Sequence, residues 1–94
     1  FTADCVVEYG PAEGFTSRGR AALRGDLERL WRYRRTAHHL ANVQVTFRDE
    51  SHAAARSAVL AWHERPDLGT AILYGRYDDE LVREDDGWRI ARRR

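Results

Sequence analysis

The sequence predicts an α+β domain in which a curved, mainly antiparallel sheet covers one helix. Two observations carry this prediction. Apolar residues recur with the period of a helix over residues 20–34, and from residue 38 onwards the period switches to two. Short polar segments separate four alternating stretches, which is typical of strands joined in an antiparallel meander. A single helix that precedes such a meander must cover one of its faces.

The first predicted elements are a strand at residues 5–9, a loop and the helix. Gly10-Pro11 ends the strand, and a loop with Gly and Ser follows at residues 12–18. The helix carries one apolar stripe, formed by Leu23, Leu27, Leu30 and Trp31. The meander strands are predicted at residues 38–47, 53–63, 71–83 and 88–92. Their turns lie at residues 48–52, 65–69 and 85–87, and the last contains Asp-Gly, a strong hairpin signal.

Length, composition and charge favour one globular domain over residues 1–94 and restrict its partners. The net charge is +1, and the only basic run is Arg92-Arg93-Arg94, so no nucleic-acid partner is expected. No apolar run approaches twenty residues, so we expect no membrane segment and a cytoplasmic location. Cys5 is the single cysteine and is expected to be buried. The chain starts at Phe1 without Met, which suggests a piece of a longer protein.

His39 and His63 are the strongest candidates for catalysis. A hairpin centred on Ser51 pairs residues whose numbers sum to 102, which places the two histidines opposite each other on an otherwise apolar face. One imidazole can then accept a proton from a carbon acid while the other donates to a leaving hydroxyl. The alternative is a pair of core histidines that hydrogen-bond to backbone or water.

The choice of register decides which histidine faces the site. A shift by one residue would exchange His39 for His38, because strand side chains alternate strictly between faces. We prefer the first register, since the second places Arg56 against Val45. In the preferred register His38 lies opposite Glu64 on the other face, as a cross-strand charge pair.

Tyr9, Trp31, Tyr77 and Asp79 are the candidate ligand-binding residues. A five-residue loop at 65–69 places Tyr77 opposite Ser57, on the face of His63, and puts Asp79 on that face too. Asp79 could orient a histidine, but a turn at residues 85–86 pairs it with Arg92, and we favour this ion pair. Tyr9 and Trp31 are expected to line the cavity from the first strand and the helix. No third ligand lies at metal-binding spacing, so neither metal nor cofactor is expected.

Five segments of the chain together resemble a known family. They are residues 1–10 (FTADCVVEYG), 19–20 (GR), 36–43 (TAHHLANV), 75–83 (GRYDDELVR) and 86–90 (DGWRI). Their order and spacing are similar to the SnoaL-like branch of the NTF2-like superfamily. The resemblance implies a cone-shaped sheet, with one or two further helices before the first strand that are missing here.

The resemblance also implies a range of functions. Scytalone dehydratase, a member of the branch, uses two histidines on adjacent strands, and His39-Leu40 and His63 match those places. A Tyr-Asp pair on its early helix has no counterpart in this sequence. The implied function is a cofactor-independent lyase or isomerase for a hydrophobic cyclic ligand. The alternatives are a non-catalytic ligand-binding or dimerisation module and a β-type oxygenase subunit.

The resemblance further implies a homodimer that forms through the outer sheet face. Apolar side chains are expected on that face at Leu40, Leu60, Trp62, Ile72 and Tyr74.

Overall fold

The computed structural model describes residues 1–10, 15–67 and 69–94. These residues form six strands and two short helical segments. The strands are β1 (Val6–Glu8), β2 (Thr16–Arg18), β3 (Arg35–Phe47), β4 (His52–Arg65), β5 (Gly69–Glu84) and β6 (Gly87–Arg93). Helix α1 spans Arg20–Leu27, and a 3-10 helix follows at Glu28–Arg32.

All six strands belong to one curved, open sheet with the order β2-β1-β6-β5-β4-β3. Every neighbouring pair is antiparallel except β1 with β6. The predicted α+β class and the four-strand meander are therefore confirmed. Strand β2 lies where a loop is predicted, because three residues are too few to show alternation. The remainder of that loop, with Pro11, and Leu68 in the predicted turn at 65–69 lie outside the described residues.

The helix is shorter than predicted, and its apolar stripe is mostly uncovered. Leu23 is 3% exposed and packs with Cys5 and Val7 in the buried core, as expected for Cys5. Beyond Leu27 the chain tightens to three residues per turn, so the stripe no longer follows one face. Trp31 is consequently 79% exposed.

Helix α1 covers one face of the sheet, which we call the inner face. The buried Val7 lies on this face. Val7 pairs with Arg93 and Arg93 pairs with Asp79, so all three residues share the inner face. On β4 the inner face carries the odd-numbered residues, of which Ala53, Ser57, Val59 and Ala61 are buried. The even-numbered residues of β4 point to the opposite, outer face.

Two irregularities in the sheet change which residues face each other. Between Ala41 and Gln44, strand β3 places two residues opposite the single residue Ser57, a β-bulge in which Asn42 adopts a positive φ of 52°. A second shift, between Glu80 and Leu81, adds one residue to β6 at Ala91. Each extra residue reverses the inside-outside alternation of the part of its strand that lies beyond it, counted from the hairpin turn.

Candidate active site

The inner face ends in a group of three rings, which we call the histidine end. His63 lies between Tyr33 and His38, with ring centroids 4.6 Å and 5.4 Å away. The two histidines are diagonal neighbours, because His63 pairs with Thr36 and His38 pairs with Ala61. Tyr33 follows the 3-10 helix, and its ring reaches the sheet from there. Two titratable imidazoles thus meet on the inner face, where His63 is half-buried and His38 is exposed.

The prediction that His39 faces His63 is wrong. The hairpin is centred one residue earlier than predicted, with Phe47 opposite Ala53. This change shifts the pairing by two residues, so by itself it would leave every side chain on its predicted face. The bulge at Asn42–Val43 then reverses the faces for the first half of β3. His39 therefore pairs with Leu60 on the outer face, and Leu40 moves to the inner face opposite Val59.

The bulge confines the one-residue shift to residues 35–41. Arg56, between the bulge and the turn, therefore lies opposite Gln44, and the contact with Val45 that counted against a shifted register does not arise. The predicted pairing of His38 with Glu64 is also wrong. Glu64 lies opposite Arg35, whose Nε donates to its carboxylate over 2.5 Å.

The environment of His63 favours its neutral form. Burial lowers its pKa from the usual 6.5, and the nearby His38, Arg32 and Arg65 lower it further. Each of these neighbours opposes a positive charge on the ring. His63 is therefore suited to accept a proton near neutral pH.

A second polar group lies further along the inner face, and we call it the anchored end. Tyr77 lies opposite Ser57, as predicted, and Asp79 lies opposite Ala55 on the same face. Asp79 is 8% exposed and accepts two hydrogen bonds of 2.7 Å from the Nε and Nη2 of Arg93. The predicted ion pair of Asp79 is therefore confirmed in kind but not in partner.

The β6 bulge explains why Arg93, rather than Arg92, pairs with Asp79. If the pairing continued regularly from the two-residue turn at 85–86, Arg92 would lie opposite Asp79. The bulge at Ala91 shifts the pairing by one residue and brings Arg93 there instead. Arg92 instead points to the other face, where its Nη2 donates to Glu8 over 3.0 Å.

Two tyrosines complete the anchored end. The guanidinium of Arg93 lies 4.0 Å above the ring of Tyr77, and the Tyr9 and Tyr77 ring centroids are 6.5 Å apart. Burial raises the pKa of Tyr9 above 10, and Tyr77 adds to this shift while Arg93 opposes it. Tyr9 thus keeps its hydroxyl proton across the neutral range.

The two ends are separate parts of the face. His63 pairs with Ala71, six residues before Tyr77 on β5, which corresponds to roughly 20 Å along a strand. Asp79 is engaged by Arg93 and is too far along the sheet to orient either histidine. The structure therefore brings Tyr9, Tyr77 and Asp79 together, and keeps all three apart from His63.

Trp31 does not join either end. Its side chain lines a groove of about 390 Å³ along α1, together with Phe1, Leu23 and Leu27. Sequence reasoning missed Tyr33 and Arg93. Tyr33 lies inside the predicted helix without any pattern that marks it, and Arg93 belongs to a basic run that resembles a solvated strand end.

The residues that the structure describes include neither a cluster of metal ligands nor a membrane-spanning helix. Among them, no three His, Cys, Asp or Glu side chains come close enough together to hold a metal ion. No helix in this part of the chain has the length and apolar character needed to cross a bilayer.

Comparison with known families agrees with this architecture. A family model described as a SnoaL-like domain matches residues 1–94. The chain belongs to the SnoaL-like domain family. A comparison of this SnoaL-like domain with curated proteins finds no match.

Several crystal structures are similar to this SnoaL-like domain. A proposed scytalone dehydratase from Novosphingobium aromaticivorans is 39% identical, with a TM-score of 0.89 over 99% of this chain and 62% of its own. A protein of unknown function from Mycobacterium tuberculosis is 35% identical, with a TM-score of 0.83 over 100% of this chain and 53% of its own. A proposed aromatic ring hydroxylase from N. aromaticivorans is 27% identical, with a TM-score of 0.87 over 99% of this chain and 66% of its own.

These similarities support the NTF2-like cone fold. The SnoaL-like domain spans between about half and two thirds of the length of these relatives.

Proposed function

We propose that the protein is a cofactor-independent dehydratase or isomerase that acts on a hydrophobic cyclic ligand at the inner face. The observation that carries the proposal is the contact between His38 and His63, whose ring centroids lie 5.4 Å apart on that face. The pKa of His63 is lowered by burial and by its cationic neighbours, and titratable groups with shifted pKa values are typical of sites that transfer protons. The similarity to a proposed scytalone dehydratase supports the same class of chemistry.

The roles follow from the surroundings of the two rings. Unprotonated His63 accepts the proton from a carbon next to a carbonyl group, and the electron pair forms a carbon–carbon double bond. Protonated His38 gives its proton to the departing hydroxyl, which leaves as water. In an isomerase, the proton returns to a different carbon and nothing leaves. Tyr33, in contact with His63, would hold the ring in place.

The remainder of the inner face suits a hydrophobic ligand. Apolar side chains stand next to the histidine end on β3 and β5, and Leu40 and Leu73 are both more than half exposed. Val59 of β4 pairs with Leu40 on one side and with Gly75 of β5 on the other. Because Gly75 has no side chain, the surface is open at this point. Such a surface can bury the apolar body of a ring while the histidines act at its edge.

Three single substitutions test the assignment, because His38 and His39 are adjacent but point to opposite faces. We expect His38→Gln and His63→Gln each to lower kcat/KM by about a hundredfold or more in a screen of cyclic hydroxyketones, as typical for loss of a general acid or base. His39→Gln serves as the matched control and should retain turnover within about twofold. Turnover that survives in both His38→Gln and His63→Gln would disprove the mechanism, and selective loss in His39→Gln would reinstate the prediction from sequence.

A second function is favoured by the outer face. Leu60 pairs with Tyr74 and Trp62 with Ile72, so these four apolar residues form one outward patch, in which Tyr74 is 77% exposed. We propose that this patch mediates homodimer formation, with or without catalysis. Light scattering across a concentration series tests it, and a monomer at the highest concentration would refute it.

A further inference from the structure

A small groove adjoins the histidine end at the point where β4 leaves the sheet. Its volume is about 340 Å³, and its lining residues are Arg32, Tyr33, Arg65, Pro66 and Asp67. Tyr33 belongs to both places, since its ring lies against His63. Arg65 is two residues beyond His63 on the same strand and face, a separation of about 7 Å. A ligand that touches His63 therefore lies within reach of the groove.

The groove carries more positive than negative charge. Among the described residues, the guanidinium groups of Arg32 and Arg65 form no ion pair with a carboxylate. Asp67 is the single carboxylate among the lining residues. The nearby Glu64 is engaged by Arg35. Two cations thus face one anion beside the histidines.

One of the two arginines is held in position. The guanidinium of Arg32 lies 5.0 Å above the ring of Tyr33, an arrangement in which the positive charge is attracted to the aromatic face. Because Tyr33 also contacts His63, the same ring adjoins both this cation and the imidazole. An anion bound in the groove therefore lies close to the proposed proton acceptor.

We propose that this groove binds a carboxylate of the substrate, so that the ligand is a cyclic hydroxy acid or keto acid. The proposal rests on the proposed acid–base function and specifies its substrate class. Arg32 and Arg65 would hold the carboxylate, and the neighbouring ring carbon would then lie beside His63. Guanidinium groups are well suited to carboxylates because their planar N–H donors match the two oxygens.

The same charges connect the groove to the histidine. Arg32 and Arg65, together with burial and His38, lower the pKa of His63 in the free protein. An anion placed between the two arginines offsets their effect. A bound carboxylate therefore raises the pKa of His63, which gives a readout that does not depend on turnover.

The test compares two probes of nearly the same shape, one with a carboxylate and one with a neutral amide. We expect 1-naphthoate to bind at least about tenfold more tightly than 1-naphthamide in low salt, with Kd measured by calorimetry. The Arg32→Gln/Arg65→Gln double variant should bind both probes equally, whereas the matched control Arg18→Gln should keep the preference. Asp67→Asn, which removes the opposing charge, should increase it severalfold. Circular dichroism verifies that each variant is folded.

A second measurement follows the ring protons of His63 by NMR during a pH titration. Naphthoate should raise the pKa of His63, and naphthamide should leave it unchanged. Equal affinity for both probes, or a preference that survives in the double variant, would overturn the proposal. Inorganic phosphate distinguishes a substrate carboxylate from a free anion: if phosphate binds as tightly as naphthoate, the groove is an anion site without a role in substrate choice.

Failure of the proposed function remains distinguishable from failure of this inference. His63→Gln should abolish turnover yet retain the preference for naphthoate over naphthamide. If turnover persists in His63→Gln while the arginines still control the preference, the acid–base mechanism is disproved and the carboxylate groove stands.

Discussion

The anchored end and the histidine end of the inner face hold their charged groups in opposite ways. At the anchored end, Asp79 and Arg93 satisfy each other through two 2.7 Å hydrogen bonds beneath the tyrosines. At the histidine end, His38 and His63 lie beside a groove that is lined by two arginines, Arg32 and Arg65, and by one carboxylate, Asp67. The ion pair of Asp79 and Arg93 fixes the side chains around it, whereas the imidazoles of the histidine end can change their protonation.

Burial explains why the two arrangements are separated. Removing ions from water is costly, so the buried charges of Asp79 and Arg93 persist only as a well-bonded pair. Near the edge of the sheet, water still stabilises unpaired guanidinium groups, and titratable rings can lie beside them. The buried ion pair and the proposed site of proton transfer therefore lie in different parts of one face.

The largest expected difference between the ends concerns stability. Arg93→Gln leaves the carboxylate of Asp79 buried without its partner, so we expect the free energy of unfolding to fall by about 3–5 kcal/mol. His63→Gln should cost about 1 kcal/mol or less, because it removes no buried ion pair. Urea unfolding measures both. In the Asp79→Asn/Arg93→Gln double variant most of the loss should be recovered, and equal losses at the two ends would contradict the comparison.

The second difference concerns pH. Because the pKa of His63 lies below 6.5 in the folded protein, the unfolded chain binds its proton first as the pH falls. The stabilisation that comes from keeping His63 neutral is therefore complete above pH 6.5 and is lost as the pH falls from 6.5 through the folded pKa.

The acid limb of kcat/KM should likewise lie below pH 6.5. Tyr9 of the anchored end should not titrate over this range, since burial raises its pKa above 10. Turnover and unfolding, each measured between pH 4 and 8 (roughly the span over which histidines titrate), check this. A kcat/KM midpoint above 6.5, or a loss of stability just below pH 6.5 that is unchanged in His63→Gln, would count against the assignment. A further loss at lower pH is expected in both proteins, because the pKa values of Asp49, Glu64 and Asp78 are lowered in the folded state.

The smallest effect is expected at Trp31, which belongs to neither end. Trp31→Ala should change the free energy of unfolding by about 0.5 kcal/mol or less, because the side chain is 79% exposed. Leu23→Ala, in helix α1 and at a side chain that is 3% exposed, is the control and should cost about 2–5 kcal/mol. A loss of ligand affinity in Trp31→Ala would restore the predicted role of this residue and extend the site onto the helix.

Sequence reasoning predicts the meander and the β4–β5 register, because alternation and a short turn define both. Tyr77 and Asp79 are accordingly found on the predicted face. It fails at β3 and β6, where one additional residue reverses the faces without disturbing the apparent alternation. Asn42 gives a weak signal, since Asn tolerates a positive φ better than most residues. The 3-10 helix and Tyr33 depend on tertiary packing and have no periodic signature.

The bulge at Asn42–Val43 has a consequence for how the protein can evolve. Deleting one of the two bulge residues would restore regular pairing and keep His38 on the inner face, whereas straightening the bulge at unchanged length would rotate residues 35–41 and bring His39 there instead. A relative without the extra residue therefore has the corresponding histidine one place nearer the hairpin turn. The position of that one-residue gap therefore decides which histidine of such a relative corresponds to His38.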